Sequence, residues 1–155
     1  MTSAFAPTLQ PTNVFSPEWA AGFIDGEGCI HIAKQTYPAH SGRKPIYRLR
    51  VSIAQNDREV LERLLAGLGV HGNIYRVRRH LGQNRQNYSL VYDGRYALEL
   101  LARIGRYLVR KFPEAQVAWN YWHQGGGGTK FGGKGVPPEV VAFRERCYRK
   151  LQRMK

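Results

Sequence analysis

The run Trp19-Ala20-Ala21-Gly22-Phe23-Ile24-Asp25-Gly26-Glu27-Gly28-Cys29-Ile30-His31-Ile32 constrains this chain more than any other stretch. Ahead of it, Ser16-Pro17-Glu18 supplies a capping hydroxyl, a proline for the first helical position and an acid in the first turn. Together they predict a helix ending near Gly26. Cys29 to Tyr37 then alternates, with Ile30 and Ile32 on one side and His31, Ala33 and Gln35 on the other, which predicts a strand with one buried face. Ala20, Ala21 and Gly22 leave the helix nearly bare, so a second backbone can approach it closely. Two copies packed about a two-fold axis would bring their C-termini side by side. Each terminus carries partial negative charge and adds Glu27, a concentration that a divalent cation would relieve.

The remaining pattern predicts an α+β domain. Ile46 to Ala54 is a strand with Tyr47, Leu49, Val51 and Ile53 on one face and Arg48, Arg50 and Ser52 on the other. Asn56 or Asp57 caps a helix bearing Val60, Leu61, Leu64, Leu65 and Leu68, which Gly69 stops. Asn73 to His80 and Asn87 to Tyr92 read as a hairpin. A helix follows Asp93-Gly94 with Ala97, Leu101, Ile104 and Leu108 on one stripe, and another runs from Pro113 to about His123. Four parts are expected: a mobile tail over 1–15, a core domain over 16–124, a Gly-rich flexible segment over 125–136 that serves as linker or partner-ordered loop, and a basic C-terminal helix over 137–155.

Charge narrows the class of partner. Of 155 residues, 24 are Lys or Arg and 11 are Asp or Glu, a formal charge of +13 that favours a polyanion. Nucleic acid fits better than an anionic membrane, since no long apolar run or basic amphipathic anchor stands out. Cys29 and Cys147 are the only cysteines and no zinc spacing is present, in keeping with an intracellular, reducing setting. The first fifteen residues carry no recognisable signal or transit peptide, and prokaryotic cytoplasm and organelle are not distinguished.

Ala20 to Gly28 resembles the LAGLIDADG motif of homing endonucleases, departing at Ala20, where the family has a large apolar residue, and carrying Glu as the second acid. The element order from Ser16 to Tyr121 is similar as well. Leu65-Ala66-Gly67-Leu68 lacks both acids, which leaves one motif and implies a homodimer. The resemblance implies an αββαββα fold with a saddle-shaped antiparallel sheet, additional C-terminal helices and a gene carried in an intron or intein. It implies that Glu27 binds Mg2+ (or Mn2+), with the Gly26 carbonyl as neighbour, and that Ala21, Gly22, Ile24 and Asp25 line the dimer interface, Asp25 serving backbone groups. Gln55 and Lys111 match positions that order water and phosphate, and Arg58 matches the same basic shell less closely. The plain alternatives are a strand-end amide for Gln55 and a solvated lysine for Lys111.

The sheet's polar face is the expected reader of double-stranded DNA: His31, Gln35, Tyr37, Arg48, Arg50 and Ser52, with Tyr75, Arg76, Arg78 and Arg79 from the hairpin. A two-stranded ribbon fits the major groove, where Arg and Gln suit guanine and adenine edges. Trp119, Tyr121 and Trp122 are expected in the core rather than on a base, and His71 and His123 are expected to be structural or exposed. A site-specific double-strand break in a long, pseudo-palindromic target is the implied activity. Its rival is a non-cleaving relative, either an intron RNA maturase or a transcription regulator. A generic basic RNA binder would leave the acids and glycines of the motif unexplained.

Overall fold

The structure is a computed structural model that describes residues 15–82 and 85–155. It is α+β in the order α1 (Pro17–Glu27), β1 (Gly28–Gln35), β2 (Ile46–Gln55), α2 (Arg58–Leu68), β3 (Asn73–Arg76), β4 (Tyr88–Asp93), α3 (Arg95–Ile104), α4 (Phe112–Gln124) and α5 (Pro138–Arg153), with 3₁₀ turns at Ala39–Ser41 and Gly105–Tyr107. The first seven elements are the expected αββαββα. Ser16 Oγ caps α1 by accepting the Trp19 amide, and Asp57 rather than Asn56 caps α2 through the amides of Glu59 and Val60.

The four strands form an open, wholly antiparallel sheet in the order β1-β2-β4-β3. One face is apolar: Ile30, Ile32, Tyr47, Leu49, Val51, Ile53, Leu90 and Tyr92 are buried there beneath the helices. Each such aliphatic side chain, removed from water, stabilises the fold by roughly 1.5–3 kcal/mol. From the helices, Leu61, Leu64 and Leu68 of α2 and Ala97, Leu100, Leu101 and Ile104 of α3 complete the core. Leu108 follows the 3₁₀ turn instead of riding on α3, yet is buried too. The short motif-like stretch Leu65 to Leu68 is indeed the end of a core helix.

Cys147 and Leu151 seat α5 on β1 and α4. Glu145 on its inner side meets Lys34 at 2.8 Å, accepts a bond from Tyr47 Oη, and pairs with Arg149 at 2.9 Å. Among the described residues no helix is long and apolar enough to cross a membrane. The expected N-terminal tail lies outside the described residues except for Phe15, whose ring meets Trp19 at 4.1 Å.

The hairpin strand is shorter than expected and ends at Arg76, although the Val77 amide still donates across the hairpin to the Asn87 carbonyl at 2.9 Å. The Gly-rich segment begins under side-chain contact. Arg144 donates to the carbonyls of Gly125 and Gly126, and Trp122 lies where a side chain on Gly127 would have to stand.

Candidate active site and nucleic-acid interface

α1 ends where the Gly28 amide closes on the Ile24 carbonyl and the backbone turns extended. A Cβ on Gly28 would stand 2.7 Å from both Ile24 Cγ2 and the Ile24 oxygen, so glycine is what lets the helix run straight into β1. That turn leaves Glu27 exposed at the negative end of the helix.

Asp25 points back into its own chain. Its Oδ2 accepts the amides of Val109 at 2.7 Å and Arg110 at 3.2 Å, and its Oδ1 accepts the Lys111 amide at 2.9 Å. These amides lie just ahead of α4, whose N-cap Lys111 makes no side-chain capping bond, so Asp25 fixes the turn that leads into that helix from 84 to 86 residues away. Lys111 Nζ returns a bond of 2.7 Å to the Asp25 carbonyl, and the lysine is only 8% exposed. Burial raises the Asp25 pKa, but the three amide bonds and the nearby ammonium outweigh it and the net shift is downward. Lys111 is therefore a cation fixed to the helix end that carries Glu27, not a freely solvated side chain.

The expected dimer face needs correction. Ala21 and Ile24 are fully buried within the protomer and the Asp25 carboxylate is engaged there, so none of the three presents its side chain to a partner. They lie on the helix face that meets the core. The uncovered stripe is Gly22 and Gly26, where a Cβ would meet nothing within 4 Å, flanked by exposed Glu18 and Trp19.

Gln55 ends β2 opposite Tyr88, and Glu27 immediately precedes the β1 residue that faces Ile53, so both leave the same end of the β1–β2 ladder. Arg58 opens α2 nearby, paired with Glu62 at 2.7 Å and lying over the Tyr88 ring at 5.6 Å. Among the described residues no group of three or more His, Cys, Asp or Glu side chains could hold a metal. One protomer thus offers the exposed Glu27 carboxylate and the open Gly26 backbone: oxygen donors, suited to a hard divalent ion, but too few to complete a shell.

The uncovered face of the sheet carries His31 and Gln35 from β1, Arg48, Arg50 and Ser52 from β2, and Tyr75 from β3. Four expected members fall elsewhere. Arg76 alternates with Tyr75, shares the side of Ile74, and donates to Gln86 at 2.9 Å. Arg78 and Arg79 lie beyond the end of β3, and Tyr37 lies beyond β1 under the Arg43 guanidinium at 4.3 Å. Conversely, Asp93 of β4 joins the face and grips Arg50 through two bonds. Alternation along Ser89, Val91 and Asp93 carried that signal in the sequence. His31 stands opposite Arg50 on β1, and burial, then the Lys155 and Arg50 charges, push its pKa down. Of the aromatic trio, Tyr121 is buried and Trp122 half-buried, but Trp119 is 42% exposed on the outer side of α4, not in the core.

The sequence signature of the LAGLIDADG endonuclease family matches residues 20–104. Among solved structures, the homing endonuclease I-CvuI, in complex with an I-CreI target, is similar with a TM-score of 0.68 at 20% identity, covering 90% of this chain and 81% of that one. An archaeal intron-encoded homing endonuclease complexed with DNA gives 0.67 at 19% identity, over 90% of this chain and 83% of its own. For I-SmaMI, bound to cleaved DNA, the values are 0.67 and 17%, over 86% of this chain and 42% of that one. No curated protein matches the sequence significantly. These structural likenesses establish the fold, and because the family signature spans more than half of the chain and contains the motif turn just described, the chain belongs to the LAGLIDADG endonuclease family.

Proposed function

We propose that this chain is a site-specific homing endonuclease that pairs with a second copy through the bare stripe of α1 and makes a divalent-metal-dependent double-strand break in a long, pseudo-palindromic DNA target. The observation that carries this reading is the linked pair of motif acids: Asp25 fixes buried Lys111 beside the helix end, leaving Glu27 exposed two residues on. A protein that only bound nucleic acid would gain nothing by exposing a carboxylate where phosphate must approach.

In this reading Glu27 and the Gly26 carbonyl of each copy would hold Mg2+ (or Mn2+) against the DNA phosphates. Such an ion would supply water activation and charge neutralisation at the phosphate. I-CvuI complexes prepared with Mg and with Ca support a divalent ion. Lys111 Nζ, with one proton on the Asp25 carbonyl, keeps two to offset charge developing on the phosphate. Gln55, at the end of the same ladder, orients the attacking water, and Arg58 adds to the basic shell. The core domain over 16–124 carries the chemistry, while the Gly-rich segment over 125–136 joins it to the basic C-terminal helix over 137–155. Arg48, Arg50, Ser52, His31, Gln35 and Tyr75 face the duplex.

The test is incubation with a randomised duplex library in Mg2+ and, separately, with chelator, followed by sequencing of the ends. A recurrent long site cut in both strands only with Mg2+ is the expected result. Bound but intact DNA in both conditions would replace cleavage with binding alone.

A further inference from the structure

Arg50 is held differently from Arg48, two residues earlier on the same face. Its Nε donates to Asp93 Oδ1 at 2.7 Å and its Nη2 to Asp93 Oδ2 at 3.2 Å, a side-on, two-bond grip across the β2–β4 ladder in which the two residues are register partners. Both side chains remain about one-third exposed, at 34% and 33%. Arg48 is exposed, its partner on β1 is Ala33, and it has no ion pair among the described residues.

A guanidinium has five N–H donors in a planar fork. When one carboxylate occupies the Nε–Nη2 edge, the outer edge formed by Nη1 and the second Nη2 hydrogen stays free and is fixed in direction. That outer edge is the one that matches the O6 and N7 acceptors of guanine in the major groove. The same carboxylate neutralises the arginine and repels an approaching phosphate. An unpaired arginine retains its charge and rotamer freedom and contacts backbone readily. The side chain facing Arg50 from β1 is His31, whose pKa is lowered by burial, and Tyr75 lies beyond Asp93 on the open face.

We propose that Asp93 is a specificity-determining residue that orients Arg50 to read one guanine in each half of the DNA target, whereas unpaired Arg48 contacts the phosphate backbone. The inference rests on the reading of the sheet face as a duplex-binding surface. Asp93 itself touches no base; it acts through Arg50.

The experiment selects bound sites from a randomised duplex library, without cleavage, by adding Ca2+ in place of Mg2+, for wild type, Asp93→Ala, Arg50→Ala and the double variant. Thermal melting of each variant reports that it folds. Wild-type sites are expected to show a guanine at one symmetry-related pair of positions. Both single variants lose that preference on the order of tenfold, leaving the other positions unchanged. In the Arg50→Ala background, Asp93→Ala changes nothing further at that position. Asp93→Ala alone is expected to raise affinity for unselected duplex and steepen its salt dependence, because it frees a cation. Unchanged base preference in folded Asp93→Ala would overturn the inference and leave duplex binding standing. Failure of wild type to retain any duplex would overturn both.

Discussion

Asp25 and Lys111 hold each other twice: the Lys111 amide donates to the Asp25 carboxylate at 2.9 Å, and Lys111 Nζ donates to the Asp25 carbonyl at 2.7 Å. The motif helix and α4 are thereby joined at the point where the proposed chemistry occurs. Asp25→Ala leaves three amides without their acceptor and should destabilise the protein by about 2–3 kcal/mol. Asp25→Asn, which keeps an oxygen in place, should lose about half as much. Urea denaturation measures both, and an unchanged midpoint for the alanine variant would show that the tie does not support the fold.

Two motif glycines should respond in opposite ways. At Gly28 a methyl group meets Ile24 at 2.7 Å, so Gly28→Ala should cost roughly 1–3 kcal/mol of protomer stability. At Gly22 nothing lies within 4 Å. Gly22→Leu should therefore leave the melting temperature of the protomer nearly unchanged while weakening self-association about tenfold or more, since the added bulk falls on the stripe assigned to the partner helix. Sedimentation velocity against concentration reads the second effect. Self-association equal to wild type would move the dimer contact away from α1.

Much of the fold was legible because its signals are local. Strand alternation in Ile46 to Ala54 and the helical stripe of α2 each need only neighbouring residues, and the Ser16-Pro17-Glu18 start is local too. The exposed end of α1 at Glu27 was equally readable. What the sequence hid depends on distant partners: that the backbone groups Asp25 serves are those of residues 109–111 of its own chain, the grip of Asp93 on Arg50 across 43 positions, and the inward turn of Ala21 and Ile24 toward the core. Arg76 was misplaced for a simpler reason. Adjacent strand residues face opposite sides, so it cannot share a face with Tyr75.

Acid should loosen the seat of α5 before the rest of the core. The hydrogen bond from Lys34, then those from Tyr47 and Arg149, hold the Glu145 pKa at about 2, below its ordinary value of 4.5. A depressed folded-state pKa means that the stabilisation is complete above about pH 4.5 and is lost as pH falls toward 2. Glu145→Gln should flatten that part of the stability profile in equilibrium unfolding, leaving the residual slope from Asp25, whose pKa is also lowered. A slope unchanged from wild type would show that Glu145 does not set the acid sensitivity.

Arg48, exposed on the open face, should act through charge alone. Arg48→Ala is expected to weaken binding to any duplex and to reduce the slope of log affinity against log salt by about 0.9 for each phosphate that the side chain neutralises. Fluorescence anisotropy across a salt series checks this. An unaltered slope would place Arg48 away from the DNA backbone.

Glu27, as the metal-holding carboxylate of a DNA-cutting enzyme, is tested most directly by comparing wild type with Glu27→Gln on a duplex containing the selected site. The side chain is exposed, so the variant should melt within about 0.5 kcal/mol of wild type and bind the site with similar affinity. Wild type should cut both strands in Mg2+, and Glu27→Gln should bind the same duplex without cutting it. Cleavage by Glu27→Gln at the wild-type rate would contradict the assignment of the metal to this carboxylate.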